Sequence, residues 1–215
     1  MSAIRSTWPL AMLLAAPGPA GAAELKVGGR IVPTPCAVVL SGHGQVNFGT
    51  IDTSALKQDY STPLRARQVT LSIDCTQSSN VALKLSDARA GSMIAGLVNP
   101  STSDQEAFGL GMSGQARIGN YYLRMPREGL YIDDRPAALL YSVDGNRSWK
   151  RTGPAGELRR DYSFAWGRRQ DRLPSMFKHL RATLNVTPYI ARTTDLPIDQ
   201  DIVLDGLANV ELQYF

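Results

Sequence analysis

Apolar and polar residues alternate with a period of two along most of the chain. This pattern constrains the fold more than any other feature, because successive side chains of a β-strand point to opposite faces of a sheet. Five segments carry such apolar rows: Val69, Leu71, Ile73 and Cys75; Val81, Leu83 and Leu85; Leu139, Tyr141 and Val143; Leu180, Ala182, Leu184 and Val186; and Val210, Leu212 and Tyr214. Short strands separated by turn residues predict an all-β sandwich.

The first 23 residues have the pattern of a secretory signal peptide. Arg5 precedes a short apolar run, and the small residues at 20–22 fit a cleavage site. We therefore expect an exported protein with a mature chain of about 190 residues, the size of one domain. Loss of Arg5 takes the formal net charge from +4 to +3, and a charge that small points to no particular partner.

Residues 24–35 form an alternating extension ahead of the domain, which we place at residues 36–215. One face of the extension carries Leu25, Val27, Gly29 and Ile31. An apolar row on an isolated strand has nothing of its own to pack on, so the pattern favours a strand that completes the sheet of another chain. The alternative is an ordinary first strand that pairs within its own domain.

The chain contains two cysteines, Cys36 and Cys75. An even number of cysteines in an exported chain predicts one disulfide. A zinc site and a redox site are weak alternatives, because only His43 and His179 accompany the cysteines and no C-x-x-C is present.

The region 147–181 is rich in arginine and holds several aromatic residues. Arg159, Arg160 and Trp166 are the candidate members of a patch for an acidic glycan. The preferred interpretation is a long solvated hairpin in which Tyr162, Phe164 and Trp166 face the core and the arginines face water. One turn of helix is expected at residues 175–180.

Motifs that carry chemistry are weak. The G-x-G-x-x-G at residues 109–114 precedes a turn and a strand, so it predicts a glycine-rich hairpin instead of a dinucleotide site. Asp133 and Asp134 are better explained by a turn than by a metal site. No nucleophile motif places His43 or His179 in a triad. We predict no catalytic residues, no metal, no cofactor and no nucleic-acid partner.

Together, these features resemble the structural subunits of chaperone–usher pili, closest to a fimbrial-type group that is still described as a domain of unknown function. The resemblance lies in the signal peptide, the alternating extension with Gly29, the two cysteines 39 residues apart, the segments 36–40 and 46–51, and the penultimate Tyr214. One departure is Gly206, which lies tenth from the C-terminus where the family often has a glycine about four residues earlier.

The resemblance implies an immunoglobulin-like β-sandwich that lacks its final strand. Its partners would be a periplasmic chaperone, an outer-membrane usher and neighbouring subunits, and the protein would pass through the periplasm to a fimbria at the cell surface. Leu25, Val27, Gly29 and Ile31 would enter a neighbour's groove. Val210, Leu212 and Tyr214 would form the groove edge that the chaperone binds.

Two other function classes stay open at this point. One is a fimbrial-like adhesin or tip subunit that binds a surface glycan through the arginine and aromatic region. The other is a secreted β-sandwich enzyme or ligand carrier, which would be stable as a monomer without a chaperone.

Overall fold

A computed structural model of the protein describes residues 28, 30, 36–98 and 104–215. The chain divides into two compact units, Met1–Val32 and Pro33–Phe215. The predicted signal peptide lies outside the described residues, and so does the predicted extension apart from Gly28 and Arg30. The account below therefore concerns the second unit.

The described part of the chain consists of strands and short turns, with no α-helix. Its strands are β1 (Cys36–Leu40), β2 (Thr62–Pro63), β3 (Arg67–Ser79), β4 (Val81–Asp87), β5 (Ala107–Gly109), β6 (Met112–Ser113), β7 (Ala116–Arg117), β8 (Gly119–Arg124), β9 (Tyr131–Ile132), β10 (Arg135–Ser142), β11 (Lys150–Arg151), β12 (Ser163–Arg168), β13 (Phe177–Ile190) and β14 (Ala208–Tyr214). Single 3-10 turns lie at Ser41–Gly44, Thr53–Ala55, Ala90–Ser92, Asp104–Glu106 and Thr193–Asp195. Among these described residues no helix is long and apolar enough to span a bilayer.

All strand pairs are antiparallel, and the main path through the sheets is β1-β3-β13-β9-β10-β12-β4-β14. Strand β8 pairs with β13 and with β5, so it extends the first half of the path. The two halves form two layers, one around β3 and β13 and one around β12 and β4. The all-β sandwich predicted from the alternation is confirmed.

The predicted rows of apolar residues line the space between the layers. The core side chains with almost no exposed surface come from both halves of the path: Leu71, Ile73, Leu83, Leu85, Phe108, Phe164, Trp166 and Phe177. Burial of these rows is the main favourable term in folding.

The disulfide prediction is confirmed: Cys36 and Cys75 are bonded. They face each other as the first pair of the β1–β3 ladder. The bond closes a loop between positions 39 residues apart and so fixes the start of β1 to the sheet.

Two turn predictions are also confirmed. Asp133 and Asp134 both have positive φ (45° and 60°) and form a two-residue hairpin loop between β9 and β10. The glycine-rich motif at residues 109–114 contains the turn of the β6–β7 hairpin, in which Gly114 has φ of 59°.

Two expectations for the arginine-rich region are wrong. Residues 175–180 contain no helical turn, because β13 begins at Phe177. Phe164 and Trp166 face the core as expected, but β12 does not have a single buried face, because Ser163 and Ala165 are buried as well; Tyr162 lies just before the strand. The chain after β12 folds back against part of this second face: a Cβ on Gly167 would lie 2.6 Å from the Leu173 carbonyl oxygen and 3.5 Å from Cβ of Asp171.

Candidate functional site: a groove between two edge strands

The first and last strands of the domain are both sheet edges. Within residues 36–98 and 104–215, β1 pairs only with β3 and β14 pairs only with β4. Among the described residues, the outer side of each strand therefore offers backbone N–H and C=O groups with no ladder partner. Such edges readily accept another strand.

The two edges meet at one end of the sandwich. The Cys36 amide, at the start of β1, donates a hydrogen bond of 2.9 Å to the Tyr214 hydroxyl at the end of β14. From this contact β1 runs to its last residue, Leu40. Strand β14 leads from the same contact back to its first residue, Ala208. Leu40 and Ala208 both line the opening described next, so the edges are closed at the Cys36 end and open at the other.

An apolar groove lies at the open end. It holds a cavity of about 190 Å³ whose lining comes from both layers and from the loops before β14 and after β1. The lining residues that decide its character are Leu40, Phe48, Val69, Leu71, Leu83, Leu85, Tyr121, Leu123, Leu184, Val186, Leu204, Gly206 and Val210. Within the part of the chain that the structure describes, no charged side chain lines it.

The rim beside β14 is held in place by hydrogen bonds. The Asp205 amide donates to the Leu110 carbonyl, and the Ala88 amide donates to the Leu207 carbonyl, both at 2.9 Å. Arg89 also forms an ion pair of 2.8 Å with Asp205. These contacts hold the segment before β14 in place, so this wall of the groove has a defined position in the folded domain.

Gly206 lies on the groove wall where a side chain has no room. A Cβ at this position would lie 2.8 Å from Cε1 of Tyr121 and 3.3 Å from Cδ2 of Leu110. The glycine therefore lets the rim approach the Tyr121 ring closely. The sequence offered Gly206 only as a departure from the pilin pattern.

The Tyr121 side chain on the groove wall stays uncharged at ordinary pH. Burial raises the pKa of the Tyr121 hydroxyl, and the nearby Asp87 carboxylate raises it further. The phenol therefore stays protonated, and Tyr121 brings no charge to the groove.

The predicted groove-edge residues take three different positions. Val210 lines the groove, Leu212 packs half-buried against the core beyond it, and the side chain of Tyr214 closes the end. The predicted donor residues Leu25, Val27, Gly29 and Ile31 lie outside the described residues.

The candidate glycan patch does not form a single surface. Trp166 is fully buried and donates from its indole N–H to the sulfur of Met125 at 3.3 Å. Arg159 pairs with the buried Glu106 at 3.0 Å and stacks over Tyr162, while Arg160 donates to the Asp104 carbonyl. The expectation that Trp166 shares a binding surface with the two arginines is wrong, because the indole ring is buried in the core.

Neither histidine lies in a triad. His43 is exposed in the turn after β1, and His179 is exposed with Nδ1 2.8 Å from Asp74. Among the described residues, no three His, Cys, Asp or Glu side chains come together as metal ligands would. The absence of catalytic and metal residues stays a prediction.

Sequence reasoning missed the loop contribution to the groove. Val46 and Phe48 follow β1 with no regular secondary structure, yet both pack against the core and line the opening. Their alternation was visible in the sequence, but nothing there indicated that the segment would lie at a groove.

Comparison with known proteins gives two similarities. A family model described as a protein of unknown function (DUF1120) matches residues 25–121, from the extension into β8. A protein of Escherichia coli (strain K12) described as "Uncharacterized protein YhcF" is 23% identical over 203 residues, covering 83% of this chain and 84% of that protein. Neither description names an activity.

Proposed function

We propose that this protein is a non-enzymatic pilus subunit that polymerises by strand donation. Its groove would accept the extension of a neighbouring subunit, and its own residues 24–35 would fill the groove of the next one. A periplasmic chaperone would deliver it to an outer-membrane usher, and the resulting fimbria would contribute to adhesion at the cell surface.

One observation carries the proposal: an apolar groove opens between two edge strands that have no outer ladder partner in the described residues. An apolar groove beside open edges promotes aggregation unless another segment covers it. A strand inserted there would pair with backbone groups and bury its apolar row at the same time. Strand addition of this kind is a known mode of pilin assembly.

The proposed donor has the shape that such a groove needs. Eight extended residues, 25–32, span about 26 Å. Their alternate residues Leu25, Val27 and Ile31 are apolar, and Gly29 would sit where the groove wall comes too close for a side chain.

The test is assembly in the presence of a chaperone and an usher. Gly29→Arg and deletion of residues 24–32 should each leave the chaperone complex intact and abolish fibres, because both variants keep the groove and lose the donor. Arg30→Gln, which changes the other face of the extension, is the matched control and should still polymerise. Fibres from both donor variants would disprove the proposal.

The adhesin alternative has lost part of its predicted surface, because Trp166 is buried. No contact in the described residues favours a glycan site at Arg159 and Arg160 over their existing partners Glu106 and Asp104.

A further inference from the structure

The last residue of β12 and the loop that joins it to β13, residues 168–176, are held in one conformation by hydrogen bonds; we call this segment the arginine loop. The Asp171 amide donates to the Arg168 carbonyl at 2.8 Å, and the Ser175 hydroxyl donates to Oδ2 of Asp171 at 3.1 Å. From β11, the guanidinium of Arg151 donates to the carbonyl oxygens of Arg169 and Asp171. The loop is therefore pre-organised by its own chain.

This fixed loop carries two large apolar side chains into solvent. Leu173 is 67% exposed and Met176 is 58% exposed. Scattered exposed apolar residues are common, but here two lie three residues apart on a loop whose backbone is tied down. The hydrogen bonds do not bury them.

Three exposed arginines lie in the same loop as these two side chains. Arg168, Arg169 and Arg172 are exposed, and the loop's single acidic residue, Asp171, is half-buried and bonded to Ser175. Arg127 lies with Arg169 on a cleft of about 240 Å³ beside the loop.

The neighbouring strands bring charges of both signs to this end of the sandwich. Arg135 and Lys178 are exposed there, and so are Glu128, Asp133 and Asp134. The Asp133 carboxylate already accepts the amides of Lys178 and His179, at 3.0 and 2.9 Å. The excess of positive charge therefore lies on the arginine loop itself.

We infer that the arginine loop binds the surface of an anionic lipid membrane. The guanidinium groups of Arg168, Arg169 and Arg172 would pair with headgroup phosphates, to which their planar donors are suited. Leu173 and Met176 would enter the boundary between headgroups and acyl chains. This inference does not depend on the proposed strand donation.

The charge of the loop suits an anionic lipid surface. Three arginines and one acidic residue leave the loop with an excess of positive charge, and each Lys or Arg near an anionic leaflet contributes about 1 kcal/mol to binding. The two exposed apolar side chains supply the second contribution that stable membrane-surface binding needs. Because the loop is already ordered, little conformational entropy is lost on binding.

The experiment measures co-sedimentation of the mature chain with lipid vesicles at low ionic strength. Vesicles of phosphatidylcholine with about one third phosphatidylglycerol should bind the protein, and vesicles of phosphatidylcholine alone should not. The double variant Arg169→Gln/Arg172→Gln should bind about 30-fold more weakly, at about fivefold for each charge. Leu173→Ser/Met176→Ser should weaken binding by at least about tenfold.

The matched control is Arg65→Gln/Met112→Ser, which changes an exposed arginine and an exposed methionine outside the loop. It should bind as the unchanged protein does. All variants alter exposed side chains, so thermal unfolding confirms that each is folded. Failure to bind anionic vesicles, equal binding to neutral vesicles, or loop variants that bind like the control would overturn the inference.

Discussion

The amide of Cys36 donates a hydrogen bond of 2.9 Å to the hydroxyl of Tyr214, and this contact joins the first strand to the last. Cys36 is held to β3 by its disulfide and Tyr214 is held to β4 by the ladder, opposite Val81. One hydrogen bond thus closes the groove at the end where both edges are best anchored. Leu40 and Ala208 line the groove at its other end, where it opens.

Tyr214→Phe should remove this contact and lower the free energy of unfolding by about 0.5–1.5 kcal/mol, the usual net value of one hydrogen bond. Urea unfolding of the disulfide-bonded protein measures the effect. Tyr60→Phe is the control, because Tyr60 is 74% exposed. An equal effect of both substitutions would mean that the Tyr214 contact does not close the sandwich.

Val210→Asp should block strand acceptance without preventing folding. The new carboxylate would lie on the groove wall, where an inserted apolar strand would have to bury it without a partner. Asn209→Asp places the same carboxylate one residue earlier on the exposed face of β14. Chaperone-bound subunits would be mixed with a labelled peptide of residues 24–32, and transfer to the peptide followed by fluorescence anisotropy.

We expect peptide transfer to fall by at least about tenfold in Val210→Asp and to stay unchanged in Asn209→Asp. Equal transfer to both variants would show that Val210 does not contact the donor.

The alternation in the sequence was enough to predict the strands. Where one face of a sheet is buried and the other is exposed to solvent, apolar and polar residues alternate with a period of two. This pattern failed for β12, where Ala165 is buried on the face opposite Trp166 and the returning arginine loop packs against Gly167 on the face of Ala165. When a segment far away in the sequence covers a strand face, the order of apolar and polar residues within the strand does not show it. The alternation did place Phe164 and Trp166 towards the core, so the preferred interpretation was right for these two residues and the patch that included Trp166 was wrong.

The groove itself was predictable only in part. The edge character of Val210 followed from the resemblance, whereas Val46, Phe48, Leu204 and Gly206 reach the groove through irregular segments. No periodic signal marks where such segments pack, so their role depends on the tertiary structure.

Arg159→Met should lower the free energy of unfolding of the domain, because Arg159 is the ion-pair partner of Glu106. It would leave the Glu106 carboxylate, whose side chain is 10% exposed, without its ion pair. We expect a loss of about 2–3 kcal/mol, less than for a fully buried pair because Arg159 is itself partly exposed. The double variant Glu106→Gln/Arg159→Met should recover part of that loss in the same urea experiment. A double variant less stable than Arg159→Met would contradict this explanation.

Asp144 should make the stability of the domain depend on pH in acid. Hydrogen bonds from Ser148, from the Ser148 amide and from Ser142 hold the pKa of the Asp144 carboxyl well below its usual range. A carboxyl with a depressed pKa in the folded state stabilises that state above its unfolded pKa of about 4, and the contribution is lost as the pH falls further.

Asp144→Asn should therefore be less stable than the unchanged protein at pH 7, and the difference should shrink below about pH 4. Denaturation at pH 7 and pH 3 tests this. Asp199→Asn, which alters an exposed carboxylate, is the control. A difference that stays constant with pH would argue against the hydrogen-bonded turn as its source.

The most direct test of strand donation is the thermal stability of the mature chain that lacks residues 24–32, measured with and without a peptide of that sequence. The proposal predicts an unfolding temperature that rises with peptide concentration, since a ligand that binds only the folded state stabilises it by mass action. A scrambled peptide should have no effect. A truncated chain that unfolds cooperatively at the same temperature with and without the peptide would contradict the account.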